Sequence, residues 1–255
     1  MFELTKILIE RNQRRILDIP QLTLPSDKVT VILGHNGSGK TTLMQCLARQ
    51  MTADNGQIHF NNQALTDFSQ RTLAQQIAFL PQHLPNSSGL TVEELVQLGR
   101  FPWRGTWGKH QQEDKEIVRN AIQQVGIESY SKQFIEDLSG GERQRAWIAM
   151  LLAQQPPVLL LDEPTSALDV AHQYELMNLL QTLNRETGQG MILILHDINL
   201  AARYADHILA MKQGKVLFQG APDALMEAKQ LEALYGVPMS LIPHPQHDSK
   251  VAIVC

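Results

Sequence analysis

The feature that most constrains this chain is the run Val29-Thr30-Val31-Ile32-Leu33 leading without a break into Gly34-His35-Asn36-Gly37-Ser38-Gly39-Lys40-Thr41-Thr42. A β-branched, nearly all-apolar run is the pattern of a strand buried on both faces. Residues 34–41 fit GxxxxGK[ST], and Thr42-Leu43-Met44-Gln45-Cys46-Leu47-Ala48 continues as a helix-forming run. Strand, glycine-rich turn and helix in that order make an anion cradle. The glycines let the backbone wrap a phosphate, and the helix start presents unpaired N–H groups and the positive end of its dipole. Lys40 is placed to reach the β- and γ-phosphates of a nucleotide, and Thr41 to offer a hydroxyl to Mg²⁺. His35 and Ser38 fill variable positions of the pattern. The alternative, a glycine-rich turn without a ligand, leaves the flanking strand and helix unexplained.

A length of 255 residues suits one large domain or two small ones. With 43% hydrophobic and 19% charged residues, the chain has an ordinary globular composition. A net charge of −4 gives no general electrostatic grip on nucleic acid, which takes clustered Lys and Arg on a basic domain, so no nucleic-acid partner is expected. Cys46 and Cys255 lie far apart without CxxC or Cys/His spacing, which fits a reducing compartment better than a disulfide framework. The start Met1-Phe2-Glu3-Leu4 has no basic or long apolar segment of a secretory signal. Apolar runs such as residues 191–195 are far short of the roughly 20 needed to span a bilayer. Any work at a membrane is expected from outside the lipid.

Residues 4–24 carry short apolar clusters separated by polar residues and predict short antiparallel strands ending in the turn Pro25-Ser26-Asp27-Lys28. Asp54-Asn55-Gly56 and Asn61-Asn62 read as turns around a strand at residues 57–60, suggesting a hairpin. Residues 77–80 predict a further strand, ended by Pro81-Gln82. From residue 84 to 155 the pattern becomes helical. Thr91-Val92-Glu93-Glu94 has capping-box spacing, and residues 114–125 form an amphipathic run ended by Gly126. Between them, residues 99–108 read as a loop rich in glycine and aromatics. Its tryptophans either tuck onto the helices or meet a partner.

Leu138-Ser139-Gly140-Gly141-Glu142-Arg143-Gln144 places a second glycine turn at the start of a helix over residues 143–154, stopped by Pro156-Pro157. Residues 158–161 then predict a buried strand with Asp162 and Glu163 at its carboxyl end, where open parallel sheets place their ligands. Asp162 suits a Mg²⁺ site, and Glu163 suits polarisation of an attacking water. Acids capping a strand end are the bland alternative. Residues 191–195 are another apolar strand, ending at His196-Asp197. Residues 208–211 and 215–218, split by Gln213-Gly214, read as an edge hairpin, and Pro222 opens a short helix. The tail 238–255 contains His244-Pro245-Gln246-His247, whose HxxH spacing is weak as a metal signal beside a solvated tail.

The order of these elements, with LSGGERQ at 138–144, Val158-Leu159-Leu160-Leu161-Asp162-Glu163-Pro164 and Ser166-Ala167-Leu168-Asp169, resembles the ABC-type ATPases. A narrower likeness rests on Gly99-Arg100-Phe101-Pro102-Trp103, the helix from Glu142 through Trp147 to Leu151, Val170-Ala171-His172-Gln173 and the run from His196 to Tyr204. These resemble the ATPase subunits of bacterial iron–siderophore importers of the ferric-hydroxamate type, with haem and vitamin B12 importers as near relatives. An exporter or a DNA-associated ATPase of the same class is the alternative, although no heptad insertion or basic arm is present.

The resemblance implies an α/β fold: a P-loop, RecA-like parallel-sheet core with an antiparallel β subdomain over residues 1–82 and 156–255, and an inserted helical subdomain over 83–155. It implies ATP and Mg²⁺ as ligands. ATP would be held by Gly34, His35, Asn36, Gly37, Ser38, Gly39, Lys40, Thr41 and Thr42, and Mg²⁺ by Thr41, Gln82 and Asp162. Glu163, His196, Gln82 and Lys40 would be catalytic. Leu138, Ser139, Gly140, Gly141, Glu142 and Gln144 would cover the ATP of a second copy, and Ser166, Ala167, Leu168 and Asp169 would form the loop at the seam. Such families place an aromatic about 23 residues before the first glycine to stack on adenine. That count lands here on Arg11, whose guanidinium can also stack on a base. Transmembrane permease subunits, an upstream periplasmic binding protein and a position on the cytoplasmic face of the inner membrane complete the expectation.

Overall fold

Alternation along the buried strands decides the architecture of the computed structural model, which describes residues 1–255 apart from 86, 105–111, 167 and 245–249. The strands are β1 (Phe2–Arg11), β2 (Arg14–Leu24), β3 (Val29–Leu33), β4 (Asn55–Phe60), β5 (Gln63–Ala64), β6 (Ile77–Leu80), β7 (Val158–Leu161), β8 (Gly190–Ile194), β9 (His207–Lys212), β10 (Lys215–Gly220), β11 (Met239–Pro243) and β12 (Lys250–Val254). The helices are α1 (Lys40–Leu47), α2 (Gln70–Gln76), α3 (Val92–Leu98), α4 (Phe101–Arg104), α5 (Gln112–Gln124), α6 (Gly140–Ala153), α7 (Val170–Thr187), α8 (Ile198–Tyr204), α9 (Pro222–Leu225) and α10 (Ala228–Tyr235).

The main sheet has the order β10-β9-β3-β8-β7-β6, and every pairing in it is parallel except that of β10 with β9. β3, β7 and β8 are buried along their whole length. Val29, Val31 and Leu33 enter one apolar core with Leu159, Leu161 and residues of α6, α7 and α8. Ile32, Leu160 and Ile194 enter a second core with α1 and the strands β1 and β2. A strand read on both faces by apolar partners needs no polar side, which explains the continuous apolar runs.

The second sheet, β2-β1-β4-β5, is antiparallel. Its strands are longer than the short segments expected from the sequence: β1 has 10 residues and β2 has 11. The polar breaks are parity changes within one strand. Phe2 and Leu4 are buried, then the register shifts between Thr5 and Leu8, and Ile7 and Ile9 are buried instead. Lys6 takes φ 54° at that point, and Gly56 opposite it takes φ 93°. A Cβ on Gly56 would lie 2.3 Å from the Lys6 carbonyl oxygen. Gly56 is therefore the partner of a bulge inside β4, not the tip of the expected turn. The Asn61-Asn62 turn does close a hairpin, with both residues at positive φ as its geometry requires.

The helical part, α3 to α6, is started by two capping boxes, Thr91 with Glu94 and Ser139 with Glu142. Residues 101–104, expected in a loop, form the helical turn α4. Pro102 fits the first turn of a helix, where no N–H is required. The turn is pinned from outside: Arg71 donates to the Pro102 and Trp103 carbonyls, and the Trp103 indole donates to the Gln154 carbonyl at 2.7 Å. The rest of that expected loop, 105–108, lies outside the described residues. The tail also differs from a solvated segment, since β11 and β12 pair antiparallel; Pro245, Gln246 and His247 lie outside the described residues.

At the joint of the helical part, Arg100 is buried and donates from Nε to Asp114 Oδ1 at 2.8 Å and from Nη1 to the Ala153 carbonyl at 2.8 Å. Truncating the acid would leave a buried guanidinium without its counter-charge. We expect Asp114→Ala to lower unfolding stability by about 3–5 kcal/mol, read as a reduced urea midpoint. A loss below about 1 kcal/mol would show that the pair does not organise this joint.

Candidate active site

Sheet order builds the site. β3, β8, β7 and β6 are successive neighbours running parallel, so their carboxyl ends form one edge. The glycine loop follows β3, His196 follows β8, Asp162 and Glu163 follow β7, and Gln82 follows β6. Residues separated by more than 150 positions in the chain become neighbours there without any long-range motif to announce it.

In the glycine loop, Gly34, Gly37 and Gly39 take φ values of 149°, 76° and 99°. Two of them are also forced by space. A Cβ on Gly34 would meet the Met211 carbonyl oxygen at 2.3 Å, and one on Gly39 would meet Leu17 Cδ2 at 2.7 Å. The loop is thus wedged between β9 and the β1–β2 hairpin. Ser38 accepts from the Gly214 N–H through its carbonyl at 3.0 Å, closing the wedge. Asn36 is exposed at the loop's tip, while Thr42 lies in the first turn of α1.

Lys40 is buried and donates from Nζ to the carbonyls of Gly34 at 2.7 Å and His35 at 3.0 Å. Burial holds its ammonium below the usual lysine range, against the pull of the Glu163 and Asp162 carboxylates. The cation rests on the carbonyls of its own loop. Thr41 Oγ1 donates to Asp162 Oδ1 at a long 3.4 Å. Asp162 is buried; desolvation first, and the Glu163 charge second, push its carboxyl up to about 6. A buried acid with so little compensation leaves an oxygen-lined position short of positive charge.

Glu163 is fixed from both sides. Gln82 Nε2 donates to Glu163 Oε2 at 2.7 Å, and His196 Nε2 lies 2.7 Å from Glu163 Oε1. Its backbone takes φ 52°, a left-handed conformation that costs a non-glycine residue of order 1 kcal/mol. That turn directs the carboxylate away from the strand line and across to β6 and β8. Ser166 donates from N–H and Oγ to the Glu163 carbonyl at 3.2 and 3.0 Å, which stabilises the unusual backbone.

The second glycine turn belongs to another surface. Ser139 caps α6 and its hydroxyl pairs with Glu142 Oε2 at 2.7 Å. Leu138 and Gln144 are buried, while Gly140 and Gly141 are exposed or partly so. A Cβ on Gly141 would touch Leu168 and His172 at 3.7 Å, so this turn lies against the loop after Glu163. A cleft of about 560 Å³ is lined by Gln82, Glu163 and Ser166 on one side and Gly140, Arg143 and Gln144 on the other. Among the described residues, no hydrogen bond joins 139–144 to 34–42. Asp169 caps α7 through the His172 N–H at 2.9 Å and keeps an exposed side chain; Ala167 lies outside the described residues.

Arg11 is exposed. It pairs with Asp54 at 3.1 Å at the end of β1, and the hairpin approaches the loop through Ile16 and Leu17. Sequence counting did not anticipate the contact through Ile16 and Leu17, because the pairing of β1 with β2 shifts register at Ile9 and Glu10 and leaves Ile16 as an extra residue in β2. It also missed Tyr235, whose ring meets His35 edge-on with centroids 5.6 Å apart. No periodicity links residues 200 positions apart, and a terminal tyrosine in a short helix carries no signal of its own.

Residues 17–166 match the family model described as ABC transporter. The chain is 41% identical over 222 residues to the ferric enterobactin transport ATP-binding protein of Escherichia coli (strain K12), covering 87% of this chain and 82% of that one. It is 38% identical over 240 residues to the iron(3+)-hydroxamate import ATP-binding protein of Bacillus subtilis (strain 168), covering 94% and 89%. A solved structure described as the dimeric post-hydrolysis state of the ATP-binding cassette MJ0796, bound to ADP and Pi, aligns at TM-score 0.76 with 27% identity, covering 87% of this chain and 99% of that one. The likeness spans the glycine loop, the paired acids and the sheet edge that joins them, and the chain belongs to the ABC transporter family as an ATP-binding, ATP-hydrolysing subunit.

Proposed function

We propose that this chain powers import of an iron–siderophore complex across the bacterial inner membrane. It works as a homodimer on the cytoplasmic face of transmembrane permease subunits, with a periplasmic substrate-binding protein delivering the cargo. The observation that carries this reading is the likeness, over most of both chains, to ATP-binding subunits of enterobactin and hydroxamate import. Among the described residues no helix is long and apolar enough to cross a membrane, so the passage itself falls to partner chains.

The site residues take roles that follow from their chemistry. Residues 34–42 cradle the phosphates of ATP, and Lys40 leaves the Gly34 and His35 carbonyls for the β- and γ-phosphates. Glu163 orients and deprotonates the attacking water, held in place by Gln82 and His196; a positioned base contributes about 10²–10⁴ in rate. His196, half exposed beyond Glu163, is placed to meet the γ-phosphate. The buried, undercompensated Asp162 and the facing Thr41 hydroxyl fit a hard cation, and with Gln82 they would hold Mg²⁺, which neutralises phosphate charge when bound. The turn 138–144 and the loop 166–169 complete the site of a second copy. Two ATP molecules then hold two chains together, and hydrolysis releases them. The segment between Gln82 and Trp107, in the helical unit of residues 83–155, carries this opening and closing to the permease, and the core formed by 1–82 and 156–255 carries the nucleotide.

Glu163→Gln keeps the shape and removes the base. Its ATP turnover is expected to fall by at least about 10²-fold, and an ATP-bound dimer is expected on size-exclusion chromatography. Turnover near wild type contradicts the assignment. For import, the chain expressed with its permease in vesicles should drive ATP-dependent uptake of a labelled ferric siderophore; co-purification with nucleic acid and no membrane protein contradicts it.

The raised Asp162 carboxyl also makes a stability prediction for nucleotide-free protein in EDTA. Its contribution is fully present below the unfolded value near 3.8 and is lost as pH rises through about 6. Asp162→Asn should therefore gain thermal stability over wild type as pH moves from 4 to 7, approaching roughly 3 kcal/mol. A difference independent of pH refutes the burial argument.

A further inference from the structure

The last part of the chain has no role in the site described above, yet it touches it at two points. α10 buries Leu231 and Leu234 in the main core, and Lys212 Nζ donates to the Ala233 carbonyl. At its end, Tyr235 sets its ring edge-on to His35 at 5.6 Å, with an interplanar angle of 79°. His35 is one of the two residues, with Gly34, whose carbonyls receive the Lys40 ammonium. Beyond Gly236, which reverses the chain at φ 71°, β11 and β12 return to α8. There the Asn199 side chain makes a two-way bond with one residue of β12. Its Nδ2 donates to the Ala252 carbonyl at 3.1 Å, and its Oδ1 accepts from the Ala252 N–H at 2.8 Å.

Asn199 lies in the first turn of α8, directly after His196 and Asp197. Asp197 caps that helix by accepting from the Asn199 and Leu200 N–H groups at 2.7 and 3.0 Å. The orientation of His196 against Glu163 therefore depends on where α8 begins, and the clasp to Ala252 fixes that start. Among the described residues the shielded Tyr235 hydroxyl has no hydrogen-bond partner, and burial first, with the Asp197 carboxylate second, pushes it up to about 12. A shielded hydroxyl without a partner is costly, so the ring is retained at this place for its contacts with the glycine loop and not for its polar end.

We propose that α10 and the β11–β12 hairpin form a brace between the glycine loop and the His196 loop, with Tyr235 and Asn199 as its two positioning residues. Neither touches the reacting atoms; Tyr235 acts through His35 and Lys40, and Asn199 through α8 and His196. The inference rests on the assignment of Lys40, Glu163 and His196 to the ATP site.

The test uses the full-length chain and steady-state ATP hydrolysis. Tyr235→Leu keeps apolar volume and loses the aromatic edge; it is expected to raise KM for ATP about three- to tenfold with kcat little changed. Tyr235→Phe retains the ring and is expected to rescue that KM. Asn199→Asp puts a second acceptor against the Ala252 carbonyl; it is expected to lower kcat about tenfold with KM little changed. Thermal melts establish that each variant is folded. For a variant that melts below assay temperature, hydrogen exchange on the wild-type chain serves instead. Protection in 34–40 that rises on ATP binding together with protection in 228–235 supports the brace, and independent behaviour overturns it. Glu163→Gln separates the two levels of argument. If that variant turns over ATP normally, the site assignment fails. If it is inactive while Tyr235→Leu and Asn199→Asp keep wild-type KM and kcat, the brace alone is overturned.

Discussion

The Glu163 carboxylate has both oxygens engaged, one by Gln82 and the other by His196, and the rest of the fold serves that arrangement. Three side chains on three strands can meet only if β6, β7 and β8 are adjacent, parallel and in register. Such strands need apolar cover on both faces. The antiparallel sheet with α1 supplies one layer, and α6, α7 and α8 supply the other. The left-handed backbone of Glu163 is the local cost of aiming one side chain at two neighbours.

The site brings buried charges of both signs to one sheet edge. A buried ammonium rests on loop carbonyls, and a buried carboxyl is held above its usual range by desolvation and by the neighbouring Glu163 charge. Both deficits are relieved by a ligand that brings phosphate to the first and positive charge to the second. The glycine turn at 139–141 starts a helix beside a cleft, on a surface without hydrogen bonds to residues 34–42 among the described residues.

Much of this was legible in the sequence where chemistry is local. The glycine loop, the buried strands β3, β7 and β8, the capping box at Thr91 and the acids after β7 come from short patterns, because strand periodicity and caps are short-range physics. What was not legible depends on register and on distance along the chain. The bulge at Lys6 and Gly56 divided one long strand into apparent fragments, and the approach of Ile16 and Leu17 to the glycine loop follows a register shift between β1 and β2. The turn at 101–104 is held by Arg71 and Gln154, which no local window contains. The contact of Tyr235 with His35 joins the two ends of the fold and leaves no trace in either segment.

The central claim is that a working site is shared between two chains. Interchain cross-linking tests it most directly, in a background carrying Cys46→Ser and Cys255→Ser. One chain bears Asn36→Cys and Glu163→Gln, the other Ser139→Cys and Glu163→Gln, and the two are mixed and oxidised with and without ATP. The shared-site account predicts a disulfide-linked pair of unlike chains that forms only with ATP. A yield of that pair unaffected by ATP, or none in its presence, would contradict it.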